Sequence, residues 1–146
     1  MIDRKWKGHT SAPYRFEIER GRLKFFSKAI GETNPIYSDQ AAARAAGHKD
    51  IPVPPTFLMA AEFDSNALFG SLDEMGVPLA RILHGEQGYT YHKPVYAGET
   101  VTVAPRITDI YDKKNGALEF IVRDCQVTNS KDELVAEIRT VIVVRN

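Results

Sequence analysis

Apolar positions recur at helical spacing in the first half of the chain and alternate, as strands require, in the second. The one early exception is Tyr14, Phe16 and Ile18, which alternate with Arg15 and Glu17 and predict a short half-buried strand. Leu23, Phe26 and Ile30 then come at helical spacing, with Gly31 placed to end that helix. Ser38 or Asp39 can cap a short helix over residues 41–46, which Gly47 stops. The segment Ile51-Pro52-Val53-Pro54-Pro55 is stiff and extended, because each proline fixes its own φ and biases its predecessor away from the helix. It delivers the chain to Thr56 as a helix cap, and then to Phe57 through Phe63, with apolar residues on nearly every side. A helix of that kind is buried all round, so its covering has to come from the second half of the chain.

Four strand-like segments are there to supply it. Gly88 to His92 carries Tyr89 and Tyr91, and Thr100 to Thr108 holds Val101, Val103 and Ile107, with Pro105 predicting a bulge or an edge. Ala117 to Thr128 is rich in β-branched and aromatic residues, and Leu134 to Val144 puts Leu134, Ala136, Ile138, Ile142 and Val144 on one face. Asn115-Gly116 is a hairpin signal, and Asn129 to Asp132 a second polar turn. Periodicity thus gives an α+β domain with helices and strands segregated along the chain.

Composition narrows the partners. The chain has 146 residues, enough for one domain with a single sizeable core. Lys+Arg and Asp+Glu balance at 19 each, so no net field favours nucleic acid or an anionic membrane. The lone cysteine, Cys125, has no internal disulfide partner and fits a reducing compartment. Met1 to Lys7 lacks the apolar core of a signal peptide, and no apolar run reaches the roughly 20 residues of a membrane span, so a cytoplasmic location is expected. No His/Cys/Asp/Glu cluster has metal-ligand spacing and no glycine-rich phosphate loop follows a strand, so no cofactor is expected.

Gly31-Glu32-Thr33-Asn34-Pro35-Ile36-Tyr37 resembles the hydratase motif of MaoC-like (R)-specific enoyl-thioester hydratases and dehydratases, Gly-Asp-x-Asn-Pro-(Leu/Ile/Val)-His. Ala45 to Phe57, Leu83-His84-Gly85-Glu86-Gln87 and Tyr91 to Thr100 extend the resemblance, which is closest to the FAS1-like dehydratase, or N-terminal MaoC, type. It implies a hotdog fold, an antiparallel sheet wrapped around a long central helix. It also implies paired hotdogs with an acyl thioester (acyl-CoA or acyl carrier protein) in a tunnel at their interface. Some members are the acyl-binding half of a heteromer whose partner supplies the reactive pair. This chain lacks that pair: Glu32 stands at the catalytic aspartate position and Tyr37 at the catalytic histidine position.

Hydration of a trans-2-enoyl thioester needs a base for water, an acid for C2, and hydrogen-bond donors for the charge developing on the thioester oxygen. Glu32 keeps a carboxylate and can serve as base. Tyr37, with an ordinary pKa of about 10, can donate a proton but seldom accepts one near pH 7. The competing reading makes Glu32 a solvated loop carboxylate and Tyr37 a packing residue. His84 and Glu86 alternate onto one face of an extended segment and form a candidate replacement acid/base pair, with Gly85 allowing close approach of a backbone or ligand. For binding, the resemblance implies that Asn34-Pro35 shapes the loop beside the thioester. It also implies that the substrate-binding segment Pro55, Thr56 and Phe57 faces the thioester, with the backbone N–H groups around Thr56, Phe57 and Leu58, aimed by the three prolines, polarising its carbonyl.

Three functions remain. The chain is an (R)-3-hydroxyacyl-thioester dehydratase or enoyl-thioester hydratase in its own right, using Glu32 with Tyr37 or His84. Alternatively it is the non-catalytic acyl-binding subunit of a heteromer, or a hotdog thioesterase built on Glu62 or Asp64. Lys49, Lys93 and Arg44 are candidates for a basic rim facing the thioester's carrier. Association, as a homodimer or with a second hotdog, is expected because Val135, Val141 and Val143 fall on the strand face opposite the core set.

Overall fold

A computed structural model describes residues 1–146. The strands are β1 (Tyr14–Glu17), β2 (Ile82–Tyr91), β3 (Thr100–Lys113), β4 (Leu118–Thr128) and β5 (Leu134–Arg145). The helices are α1 (Arg20–Ala29), α2 (Gln40–Ala45), α3 (Ala60–Asp64) and α4 (Ala67–Glu74). All strands join one antiparallel sheet in the order β1-β3-β4-β5-β2, so β1 and β2 are its edges. This is the α+β hotdog arrangement. No helix is long and apolar enough to cross a membrane.

Local signals hold where they are strongest. Gly31 (φ +73°) comes just past the end of α1, and Asp39 caps α2 by accepting the Ala42 N–H at 2.7 Å. Asn115 and Gly116 both have positive φ, and Lys114 O accepts the Ala117 N–H at 3.2 Å, closing the β3–β4 hairpin. Asn129 Oδ1 accepts the N–H groups of Lys131 and Glu133 to close the next turn. Pro105 lies just past the reach of β1, which ends opposite Val103, and the β3 bulge comes later, between Ile107 and Asp109.

The central helix departs from expectation. It is not continuous: a 3-10 turn at Phe57–Met59 runs into α3, the chain breaks at Asn66 (φ +55°), and α4 resumes. Nor is it greasy all round, since Glu62 is fully buried while Phe63 is exposed. Ile30, the C-cap just past α1, is exposed rather than packed; Leu23 and Phe26 alone carry that face.

The core has two apolar clusters. One gathers Phe16, Ile18, Leu23, Phe57, Leu58 and Ala61 against the β1-β3 and β4-β5 ends that include Val101, Cys125, Val127 and Ile138. The other packs Leu68, Leu72 and Val77 on Ile107, Ile121, Ile142 and Val144. Val135 belongs to the first cluster, and Val141 is already buried within the single chain. The face expected to drive association is therefore largely spent internally, and the open feature is β2. That strand is ten residues long and pairs only with β5.

A bulge in β2 falls between His84 and Glu86. Gly85 sits against β5 there: an added Cβ would lie 2.8 Å from Val143 Cγ2 and 3.0 Å from Val141 O. A carbonyl in a paired strand cannot swing aside. Gly85→Ala is expected to cost about 1–3 kcal/mol in urea denaturation, and an unchanged midpoint would show that the bulge flexes.

Candidate acyl-binding cleft

The prolines 52, 54 and 55 carry the chain along a cleft of about 380 Å³. Ile36 and Tyr37 from the motif loop, Pro52, Val53, Pro55 and Leu58, and Tyr91 to Val95 enclose it together with His48. This is a largely apolar hollow with a few polar groups, the usual constitution of a small-molecule site of about 300–1,000 Å³. Its walls are fixed by Asp50. That carboxylate accepts two hydrogen bonds from Arg20 (3.1 and 2.7 Å), one from Gln40 (2.8 Å) and the N–H of Ile51 (2.7 Å). The Arg20 guanidinium in particular holds the Asp50 carboxyl well below the usual carboxylate range.

The motif loop splits its residues between two jobs. Tyr37 lines the cleft. Glu32 does not: its Oε1 accepts the Asn34 N–H at 2.8 Å, and Asn34 Oδ1 in turn accepts the Ile36 N–H at 3.2 Å. Both polar side chains are thereby used to shape the turn of Pro35–Tyr37. The loop is pinned to α1 by Ser27 Oγ, which donates to Tyr37 O at 3.2 Å. No carboxylate stands among the twelve lining residues.

The other expected site residues are dispersed. His84 and Gly85 lie on the same strand as Tyr91, but roughly 20–23 Å away, six or seven residues at ~3.3 Å each. The bulge breaks the alternation expected for His84 and Glu86, and His84 Nε2 is instead hydrogen-bonded to Gln87 Oε1 at 3.0 Å. Thr56 holds the N-cap position of the 3-10 turn, its carbonyl accepting the Met59 N–H at 3.2 Å, but at φ +74° it makes no side-chain capping bond and gives its own N–H to the Tyr91 hydroxyl at 3.0 Å. Phe57 N–H donates to Pro54 O at 3.2 Å, and the Phe57 ring packs in the core. Pro55 is where expected, in the cleft wall.

Three further cleft residues carry polar groups. His92 lines the cleft and bonds Glu137 Oε2 at 2.9 Å; His48 lines it too, with Nδ1 3.3 Å from the Tyr96 hydroxyl. Tyr91 is legible in the sequence only as a strand residue, although its alternation with Tyr89 already puts both rings on one face. Neither thioesterase candidate lines the cleft: Glu62 is fully buried in an ion pair with Arg123, and Asp64, at the surface, pairs with Arg22. Lys49 and Lys93 are paired with Glu99 and Glu133. Burial pushes the Cys125 thiol up, which keeps it protonated and inert.

Comparison with known proteins agrees with this architecture. A UPF0336 protein of Parafrankia sp. is 36% identical over 122 residues, covering 84% of this chain and 80% of that protein. The HadBC (3R-hydroxyacyl-ACP dehydratase) complex of Mycobacterium tuberculosis superposes with a TM-score of 0.82 at 24% identity, over 94% of this chain and 96% of the matched one. The ChsH1-ChsH2 complex of the same organism gives 0.69 at 26% identity, over 94% and 89%. The family description "FAS1-like, dehydratase domain region" matches residues 5–138, and the chain belongs to that family of MaoC-like hotdog proteins.

Proposed function

We propose that this chain is the acyl-thioester-binding subunit of an (R)-3-hydroxyacyl-thioester dehydratase, equally a trans-2-enoyl-thioester hydratase, and that a second hotdog supplies the aspartate and histidine. The observation that carries the proposal is the cleft beside the motif loop. It offers an apolar hollow and hydrogen-bond donors but no carboxylate, because Glu32 is committed to the Asn34 N–H. Addition of water across C2 and C3 requires a base to take a proton from the water as its oxygen bonds C3, and an acid to protonate C2. A tyrosine can supply the second of these and not the first. The open edge of β2 suits pairing with another sheet, and the HadBC and ChsH1-ChsH2 complexes each contain two different subunits.

The purified chain alone is expected to bind a medium-chain acyl-CoA saturably in calorimetry. Filling the cleft by Val53→Trp should abolish that binding while circular dichroism shows the fold retained. Binding that persists unchanged in a folded Val53→Trp protein would place the acyl group elsewhere.

A further inference from the structure

Tyr89 and Tyr91 leave the inner face of β2 two residues apart, with rings stacked at 5.8 Å and planes within 4°. Both hydroxyls meet the same residue. Tyr89 donates to Thr56 O at 3.2 Å, and Tyr91 accepts from Thr56 N at 3.0 Å. Thr56 is held at φ +74°, ψ −12°. A β-branched residue rarely adopts that left-handed conformation, which persists only where the surroundings fix it. The two phenols hold its N–H and its carbonyl in that conformation.

The consequence lies in where the protons point. A phenol has one proton and an oxygen that accepts. Tyr89 spends its proton on Thr56 O. Tyr91 uses its oxygen on the Thr56 N–H, and its proton has no acceptor within the chain. Tyr91 also lines the cleft and is 48% exposed, so the hydroxyl can be reached by a ligand lying there. We propose that the Tyr91 hydroxyl is the hydrogen-bond donor to the carbonyl oxygen of the bound acyl thioester, and that Thr56 and Tyr89 are the residues that position it.

Resting on the acyl-binding reading above, this assigns a specific atom to the recognition of the thioester. Donation from the Thr56 amide into the phenol oxygen polarises the O–H bond and makes Tyr91 a stronger donor, as in any hydrogen-bonded chain. It also fixes the oxygen before the ligand arrives, the property that makes a donor effective toward developing negative charge. Burial, with the nearby Tyr37, pushes the Tyr91 phenol above its ordinary value, so the proton is present throughout the neutral range. Tyr37 also faces the cleft, but no group of the chain bonds its hydroxyl, so it has no comparable orientation. His48 and His92 already engage Tyr96 and Glu137.

The test compares two probes on the purified full chain: octanoyl-CoA, and S-octyl-CoA, the thioether of matched length that lacks the carbonyl. Tyr91→Phe is expected to weaken octanoyl-CoA about 10-fold and to leave S-octyl-CoA unchanged. With a ¹³C-labelled thioester carbonyl, the infrared band should move to lower frequency on binding to the natural chain and lose that shift in Tyr91→Phe. Tyr89→Phe should lose part of the shift, and Tyr37→Phe none. Equal weakening of both probes by Tyr91→Phe, or a band shift that survives it, overturns the donor assignment while leaving acyl binding intact. Failure of the natural chain to bind either probe overturns the acyl reading itself, and the donor with it.

Discussion

An Arg123→Ala protein is expected to lose about 3–5 kcal/mol of stability in urea denaturation, a large part of what a domain of this size possesses. Arg123 on β4 and Thr140 on β5 are direct cross-strand partners, and both side chains face the helices. Glu62 reaches them from α3: one oxygen pairs with the Arg123 guanidinium, which also donates to Ala67 O at 3.3 Å. Cys125 Sγ lies 3.2 Å from the same carboxylate, and Thr140 Oγ1 lies 3.3 Å from its other oxygen. Truncating Arg123 would leave Glu62, which no solvent reaches, as an uncompensated buried charge. Replacing both partners by apolar residues of similar volume, Glu62→Leu with Arg123→Met, should restore much of the loss, because desolvation of the pair consumes most of its Coulombic gain. A loss below about 0.5 kcal/mol for Arg123→Ala, the scale of an ordinary surface change, would mean that water reaches the pair.

That polar layer has a structural reason. On β4 the inward side chains run Glu119, Ile121, Arg123, Cys125, Val127, and on β5 Ile138, Thr140, Ile142. Ile121 and Ile142 belong to the cluster under α4, whereas Cys125 and Ile138 belong to the cluster under α3. Arg123 and Thr140 sit at the seam between them. The guanidinium contact to Ala67 O bridges the chain break at Asn66, so the ion pair ties α3 and the start of α4 to one place on the sheet.

The strands and turns are legible in the sequence because period-two alternation, Asn115-Gly116 and Asn129 act over a few residues. The seam is not, although its signal is present. A charged residue on the core parity of a strand, and a lone glutamate in an otherwise apolar helix, predict each other, but pairing them requires knowing which strand the helix crosses. The helical pattern read from the sequence stops at Phe63, so α4, which follows the break at Asn66, is not foreseen. Simple alternation puts His84 and Glu86 on one face, and a single bulged glycine undoes that. Of the motif loop and the three prolines, Ile36, Tyr37, Pro52 and Pro55 line the cleft. Thr56 takes the cap position that the sequence predicts but in a left-handed conformation, with its backbone N–H and carbonyl bonded to tyrosines 35 and 33 residues further on.

The second large effect concerns activity. If the chain holds the acyl group and another subunit performs the proton transfers, the reaction needs both. The organisation of the motif loop is what makes the expectation sharp. Glu32, which alone could replace the missing aspartate, is hydrogen-bonded to the backbone of its own turn, and His84 stands near the far end of β2. Neither lines the cleft beside Tyr37.

The decisive measurement is a hydratase assay that follows loss of enoyl-thioester absorbance with crotonyl-CoA and a longer trans-2-enoyl-CoA. The chain is assayed first alone, then with a hotdog subunit carrying the intact Gly-Asp-x-Asn-Pro-x-His motif. The account predicts no turnover by the chain alone and, with the partner, a rate above that of either subunit separately, in which the partner's positioned acid and base contribute about 10²–10⁴-fold. Turnover by the chain alone that Glu32→Gln abolishes would contradict it, and would make this a self-sufficient hydratase with an altered motif.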